Sequence, residues 1–203
     1  MDLKLIYGNM RALCEAPQMM LHYADIPYEY KMVWDHYGSS WAEVKKDIIF
    51  NRLPILIINE DKYIWQSNTI IRYLSNLTKT KPSDEFQLAY CDAVFESTHE
   101  MFSPLNPTLN MTFGEKYISN KKKLLEDILP NSLNNFEKLL QNSSGNFFIG
   151  NDQFYCDFNA YHHFSMCLIL DKNIFSNFPN LKKFINNFEK LNNIKNYLDG
   201  RPE

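Results

Sequence analysis

The sequence contains no apolar run of about 18 residues, the length a membrane-spanning helix requires, so no such helix is expected. Its first residues, Met1-Asp2-Leu3-Lys4-Leu5-Ile6-Tyr7, lack the long apolar stretch and small-residue cleavage site of a secretory leader. A cytoplasmic location is therefore expected. Charge of one sign is also lacking. The formal net charge is −3 with both signs dispersed, and no basic stripe is present. Nucleic acid and anionic membranes are accordingly poor partners. Cysteine is sparse: Cys14, Cys91, Cys156 and Cys167 form no CxxC pair. Without a leader they predict no disulfide framework, only small, reduced, mostly buried thiols. What the chain does have is aromatic side chains, 15% of its 203 residues. That content argues against disorder, and the length suits one or two domains around a substantial core.

Residues 1–77 alternate strand and helix signals. Leu3–Tyr7 is a short apolar run that reads as a strand. Residues 11–23 carry Leu13, Met19, Met20 and Tyr23 near helical spacing, with Pro17 in an early turn where a missing N–H costs least. Residues 28–33 alternate as a second strand. Residues 41–50 read as a helix with Trp41, Val44, Ile48 and Ile49 on one side. Residues 53–58 are too apolar to be exposed on either face, and Asn59-Glu60-Asp61 turns the chain into a hairpin partner at Lys62–Trp65. Ser67–Leu77 reads as a helix with Ser67 as N-cap. This order predicts a small mixed sheet covered by helices.

Residues 78–84 have loop composition and are read as a linker. Residues 85–203 then lose the strand signal. Stretches 85–102, 117–140, Tyr155–Leu170 and 181–197 carry apolar residues at three- and four-residue spacing, with prolines and glycines punctuating them. Pro130 is expected to kink or split the second of these. The fold class expected is an α/β domain followed by an all-helical bundle.

Three local features point to chemistry. Leu53-Pro54 opens a buried strand, where proline cannot donate to the ladder. A cis peptide there would turn the preceding backbone outward to meet an extended ligand. Gln66-Ser67 sits at a strand-to-helix junction, where a helix N-terminus with a hydroxyl suits a carboxylate. Tyr7 ends the first strand, at the mouth where open α/β sheets bind ligands.

Taken together, these segments resemble a cytosolic glutathione transferase of the tyrosine type, nearest the sigma class that includes glutathione-dependent prostaglandin D synthases. The carriers are Lys4-Leu5-Ile6-Tyr7-Gly8-Asn9-Met10-Arg11, Ala24-Asp25-Ile26-Pro27-Tyr28-Glu29, Trp41-Ala42-Glu43-Val44-Lys45 and Arg52-Leu53-Pro54-Ile55-Leu56. Trp65-Gln66-Ser67 leading into Arg72-Tyr73-Leu74 and the tail from Ile194 to Pro202 complete the likeness. The resemblance implies a thioredoxin-like domain that binds glutathione over residues 1–77 and a helical domain over residues 85–203 that completes an electrophile pocket. It implies glutathione as co-substrate with no other cofactor and no metal, a small hydrophobic electrophile, and a homodimer.

Residue by residue, the resemblance makes Tyr7 the catalytic group, donating a hydrogen bond that favours the thiolate. A free thiol titrates near ~8.5, and a shift of about two units makes thiolate the main form. Gln66 and Ser67 match the pair holding the γ-glutamyl carboxylate. Leu53 matches the backbone partner of the cysteinyl moiety, with Pro54 setting the bend. Trp41, Lys45 and Arg52 match the glycyl-carboxylate positions, and Arg52 can grip a carboxylate bidentately. Glu100 falls where the family usually has an aspartate that reaches the γ-glutamyl ammonium across the dimer. Gly8, Leu13, His99 and Phe102 fall at the electrophile pocket. The function implied is conjugation of glutathione to hydrophobic electrophiles in detoxification. The alternatives are a ligandin- or crystallin-like binding protein and a prostaglandin D-type isomerase.

The departures are specific. Gly8 replaces a usual aromatic, and Ala12-Leu13 replaces a Gly-Arg whose arginine supports the thiolate. Phe154 replaces a threonine in a Gly-x-x-x-Thr-x-x-Asp motif that otherwise survives as Gly150 and Asp157, so another residue is expected to cap the helix. Leu105-Asn106-Pro107 lacks the tryptophan usual in the prostaglandin synthases. His162-His163 are adjacent and so form no i, i+4 metal pair, and Cys14 reads as buried. With the sequence ending at Glu203, shortly after Tyr197-Leu198, no further helix is expected to act as a lid.

Overall fold

A computed structural model describes residues 1–201 of the chain. Pro202, the end of the tail motif, lies outside the described residues. The chain divides into two compact units, Met1–Lys81 and a second beginning at Pro82.

The first unit is built on a four-stranded sheet of order β2-β1-β3-β4. Strand β1 (Leu3–Tyr7) runs parallel to β2 (Glu29–Met32) and antiparallel to β3 (Ile55–Ile58), which pairs antiparallel with β4 (Lys62–Trp65). All four residues of β3 are buried, which is why that strand shows no alternation. Helices α1 (Glu15–Tyr23) and α4 (Ser67–Leu77) pack together. A separate cluster of Ile6, Val33, Ile48, Ile55 and Ile57 is flanked by Trp41, Val44, Leu53 and Trp65. After β2 comes a short helix α2 (Val33–Tyr37).

The helix expected at 41–50 is broken. Helix α3 (Trp41–Val44) gives way to 3-10 turns at Lys45–Asp47 and Ile49–Asn51. Ile48 between them is extended (φ −91°, ψ 128°), and Phe50 is left-handed at φ 64°. The extended residue delivers Ile48 into the core cluster, whereas Ile49 and Phe50 stay exposed. Core packing overrides local helical periodicity here. The hairpin turn at Asn59 and Glu60 has φ 49° and 68°, the positive pair that two-residue hairpins favour. The expected linker begins with ordered, buried residues. Thr78 Oγ1 donates to the Leu74 carbonyl at 3.0 Å and lies 2.9 Å from Thr80 Oγ1.

The second unit is helical. Helix α5 (Glu85–Met111) runs straight through Pro104 and Pro107, well past the end expected from the sequence. Each proline removes one intrahelical donor. Burial of Leu105 and Thr108 and hydroxyl bonds one turn back, from Thr108 to the Pro104 carbonyl and from Thr112 to the Thr108 carbonyl, offset that loss. Helix α6 (Gly114–Lys123) passes through a π turn at Leu124–Ile128 into α7 (Leu129–Asn142). Pro130 falls in the first turn of α7, so the expected split takes the form of a π turn just before the proline. Helix α8 (Tyr155–Leu170) packs on α5 and is buried on nearly every face. The expected helix at 181–197 is two: α9 (Pro179–Glu189) and α10 (Asn192–Gly200). Phenylalanine rings knit the core, Phe164 meeting Phe136 at 5.5 Å and Phe184 at 5.9 Å, both edge-on. Among the described residues, no helix is long and apolar enough to cross a membrane.

The start of α8 corrects the capping expectation: no other side chain takes the place of the missing threonine. The Asp157 amide donates instead to the Phe154 carbonyl at 2.8 Å. Asp157 Oδ2 accepts from the Phe154 amide at 2.8 Å, and Oδ1 from the Phe148 amide at 3.2 Å. One buried carboxylate thus ties the preceding loop to the helix.

Candidate functional site

Strand register gathers the candidate residues of the first unit. Ile6 pairs with Ile55, and Ile55 with Trp65. Tyr7 at the end of β1, Leu53-Pro54 directly before β3 and Gln66-Ser67 directly after β4 therefore lie at one end of the sheet. With strands about 4.8 Å apart, the three segments are near neighbours. The Leu53-Pro54 bond is cis, as the proline at the head of a buried strand suggested. Arg52 before it is extended (φ −141°, ψ 151°) and exposed. Leu53 and Trp41 both pack on the cluster around Ile48 and Ile55. Lys45 follows Trp41 by one helical turn, its amide bonded to the Trp41 carbonyl, and its side chain is exposed.

At the other corner the structure shifts the cap by one residue. Gln66, not Ser67, is the N-cap of α4, and Ser67 is its first residue. Gln66 holds φ 70° and ψ 122°, a costly backbone for a residue with a Cβ. That twist leaves its side chain exposed while its carbonyl accepts from the Ile70 amide at 3.0 Å. No side chain caps this helix, so its dipole and first amides face the sheet end that also carries Tyr7.

Tyr7 is buried, and its hydroxyl oxygen accepts from the Leu13 amide at 3.2 Å. Burial pushes the phenol pKa up to about 12, against the pull of that amide. The hydroxyl is therefore protonated throughout the physiological range. With the Leu13 amide on its oxygen, its proton is available to an acceptor. Leu13 thus sets a backbone dipole on the Tyr7 oxygen, which its side chain gave no sign of. Gly8, at the start of the same loop, has room where its Cβ would be, the nearest atom being Met10 Cε at 3.9 Å. Its carbonyl accepts from the Tyr30 hydroxyl at 2.7 Å. Tyr30 escaped the sequence reading, although alternation in 28–33 places it on the face of the sheet that carries Tyr7. Cys14 at the end of the loop is fully buried, and burial raises its thiol above the usual range, as expected of an inert residue.

In the second unit, Glu100 is exposed on α5. His99 lies 6.2 Å from His163, ring centre to ring centre. Phe102, expected at the pocket, is buried and stacked on His163 at 4.0 Å, which commits its ring to the α5–α8 seam. His162 and His163 are both buried, because α8 is enclosed on nearly every side.

Comparisons with known proteins bear on both units. The family model described as "Glutathione S-transferase, N-terminal domain" matches residues 1–76, and "Glutathione S-transferase, C-terminal domain" matches residues 99–201. A glutathione S-transferase of Plasmodium yoelii yoelii is 31% identical over 171 residues, covering 82% of this chain and 78% of that protein. Glutathione S-transferase P of Caenorhabditis elegans is 29% identical over 205 residues, covering 99% of this chain and 94% of that one. Among solved structures, a Pi-class glutathione S-transferase of Onchocerca volvulus superposes with a TM-score of 0.87 at 26% identity, covering 99% of this chain and 94% of that chain.

Proposed function

Because the chain belongs to the glutathione S-transferase family, we propose that Tyr7 activates the glutathione thiol at the end of the sheet for transfer to small hydrophobic electrophiles. The chain is an enzyme, a glutathione transferase. The observation that carries the Tyr7 assignment is its protonated hydroxyl, seated on the Leu13 amide beside the cis Leu53-Pro54 bond and Gln66-Ser67.

In this reading the γ-glutamyl carboxylate meets Gln66, Ser67 and the α4 N-terminus. The backbone of Leu53 pairs with the cysteinyl moiety, and Trp41, Lys45 and Arg52 hold the glycyl carboxylate. The Tyr7 hydroxyl donates to the sulfur, which loses its proton to solvent. The thiolate then forms the new carbon–sulfur bond while the electrophile's leaving group departs or its double bond takes a proton. Tyr7 works by stabilising charge on sulfur and by holding it in place. Its own proton stays put.

The pocket wall beside Tyr7 is assigned to Gly8 and Leu13, which leave it open and without a nearby guanidinium. Two copies of the chain are assigned to a symmetric pair through α5, whose outward residues include Phe86, 76% exposed, and the small Ala89, Ala93 and Ser97. Glu100 on that face is assigned to the γ-glutamyl ammonium of the glutathione held by the other copy. A role in detoxification in the cytoplasm is consistent with this chemistry. A weakly catalytic binding protein is the second reading, and the space at Gly8 is what favours it.

The test is paired. Ultraviolet absorbance of bound thiolate is followed against pH, and turnover is measured with a chlorodinitrobenzene-type electrophile, for the wild type and Tyr7→Phe. An apparent thiol pKa well below ~8.5 that returns toward it in Tyr7→Phe supports the assignment. An unperturbed thiol in the wild type, with glutathione bound, favours the binding reading.

A further inference from the structure

The loop between β1 and α1, residues 8–14, has no regular structure, yet it must hold the Leu13 amide on the Tyr7 oxygen. Its start lacks the usual means of anchorage. Gly8 has no side chain to pack, and even an added Cβ would meet only Met10 Cε at 3.9 Å. The far end is packed, with Ala12 and Cys14 fully buried, so what holds the Gly8 end is polar. The Tyr30 hydroxyl donates to the Gly8 carbonyl at 2.7 Å, while the Leu13 amide donates to Tyr7 at 3.2 Å. Sheet register explains why Tyr30 can do this. In the parallel β1–β2 pair Leu5 lies beside Tyr30, and Tyr7 beside Met32. Alternate residues share a face, so the Tyr30 ring stands on the same side as Tyr7 and points along β1 toward its end.

We propose that Tyr30 is a positioning residue for thiol activation: by fixing Gly8 it fixes the loop that delivers the Leu13 amide to Tyr7. This rests on the reading of Tyr7 given above. The Leu13 bond has two effects. It fixes the direction of the phenol, and it draws charge from the oxygen, so the proton offered to sulfur is a better donor. When Gly8 loses its tie, the far end of the loop keeps its buried anchors Ala12 and Cys14, but the entry is freed and the bond from the Leu13 amide to Tyr7 lengthens. Glutathione affinity should change little, because Leu53, Gln66 and Ser67 lie on other segments. Tyr30 keeps its proton under all working conditions, since burial raises its phenol far above the usual value, so it is always a donor.

Tyr30→Phe removes the hydroxyl and keeps the ring. The expected result is a bound-thiol pKa raised by about half to one unit and kcat/KM lowered about 3- to 10-fold near neutral pH, with KM for glutathione within about 2-fold. Amide exchange at Leu13 should quicken at least about 10-fold while Leu5 and Ile6 in β1 stay protected, which shows that the fold is intact. In the double variant with Tyr7→Phe the losses should not add, because Tyr30 acts through Tyr7. An unchanged thiol pKa in Tyr30→Phe, or additive losses in the double variant, overturns the proposal. Tyr7→Phe in the same series separates the two ideas: if it leaves the thiol pKa unchanged, the Tyr7 reading itself has failed.

Discussion

Tyr7 combines burial, an amide on its oxygen and a pKa of about 12, so in the role proposed for it the phenol acts as a neutral donor. A hydrogen bond to a charged partner is worth about 1.5–3 kcal/mol, so Tyr7→Phe should lower turnover about 10-fold or more while glutathione affinity holds. Steady-state kinetics together with calorimetry check both halves. Wild-type turnover in the variant would assign thiol activation to another group, with Arg11 the first to test. Because the phenol is half-ionised only at about 12, the rate–pH curve should rise with the thiol and show no falling limb up to pH 10. Gly8 offers a second test. Its φ is not left-handed, and its Cβ site is open, so Gly8→Phe should fold normally. The added ring should narrow the open wall assigned beside Tyr7, so bulky planar dyes should inhibit the variant more weakly than the wild type. The cis proline and the strand-end tyrosine were legible in the sequence because proline in a buried strand and an aromatic at a strand mouth are unusual residue choices. The Leu13 amide was not legible, since every residue but proline carries one.

At the scale of elements, α8 concentrates the polar cost of the helical unit. Asp157 satisfies two amides, the buried one of Phe148 and the half-buried one of Phe154, and Asp157→Ala would strand both. A loss of about 2–4 kcal/mol in urea unfolding is expected, with Asp157→Asn costing less. His163 on the same helix is held neutral, its pKa pushed well below the usual value by burial first and then by His162 and His99. A buried base of this kind supports the fold above the unfolded value near ~6.5 and withdraws that support as pH falls below it. Asp157 pulls the other way. Burial raises its carboxyl to about 7, so protonation favours the fold as pH drops from 7 toward ~4. The histidine's share is therefore read as a difference. From pH 6.5 to 5.5 the wild type should lose about 1 kcal/mol more than His163→Asn. Identical pH trends for the two proteins would count against the neutral buried imidazole. The limits of sequence reading are plain in the neighbouring elements. Pro130 marked a real discontinuity, but Pro104 and Pro107 did not end α5, because tertiary burial and hydroxyl back-bonds outweighed two missing amides. The break at Ile48 was equally hidden, since its cause is a core contact distant in sequence.

For the whole molecule, pairing through α5 predicts light scattering at twice 24.1 kDa at micromolar concentration. A charge placed on the outward stripe, Ala93→Glu, should shift that mass toward one copy without unfolding α5, and scattering at the single-chain mass for the wild type would refute the pairing. The division into a sheet unit and a helical unit was readable from where the strand signal stops. The twist at Gln66 was not, because nothing in a Trp-Gln-Ser triplet announces a positive φ. That twist has a consequence for how the sequence can drift. Glycine at 66 would relieve backbone strain of about 1–3 kcal/mol but would delete the amide assigned to the γ-glutamyl carboxylate. Selection on protease survival alone should therefore fill position 66 of a randomised library with glycine. Selection on glutathione retention should keep glutamine, leaving the least comfortable residue of the sheet unit as the signature of what the fold was selected to hold.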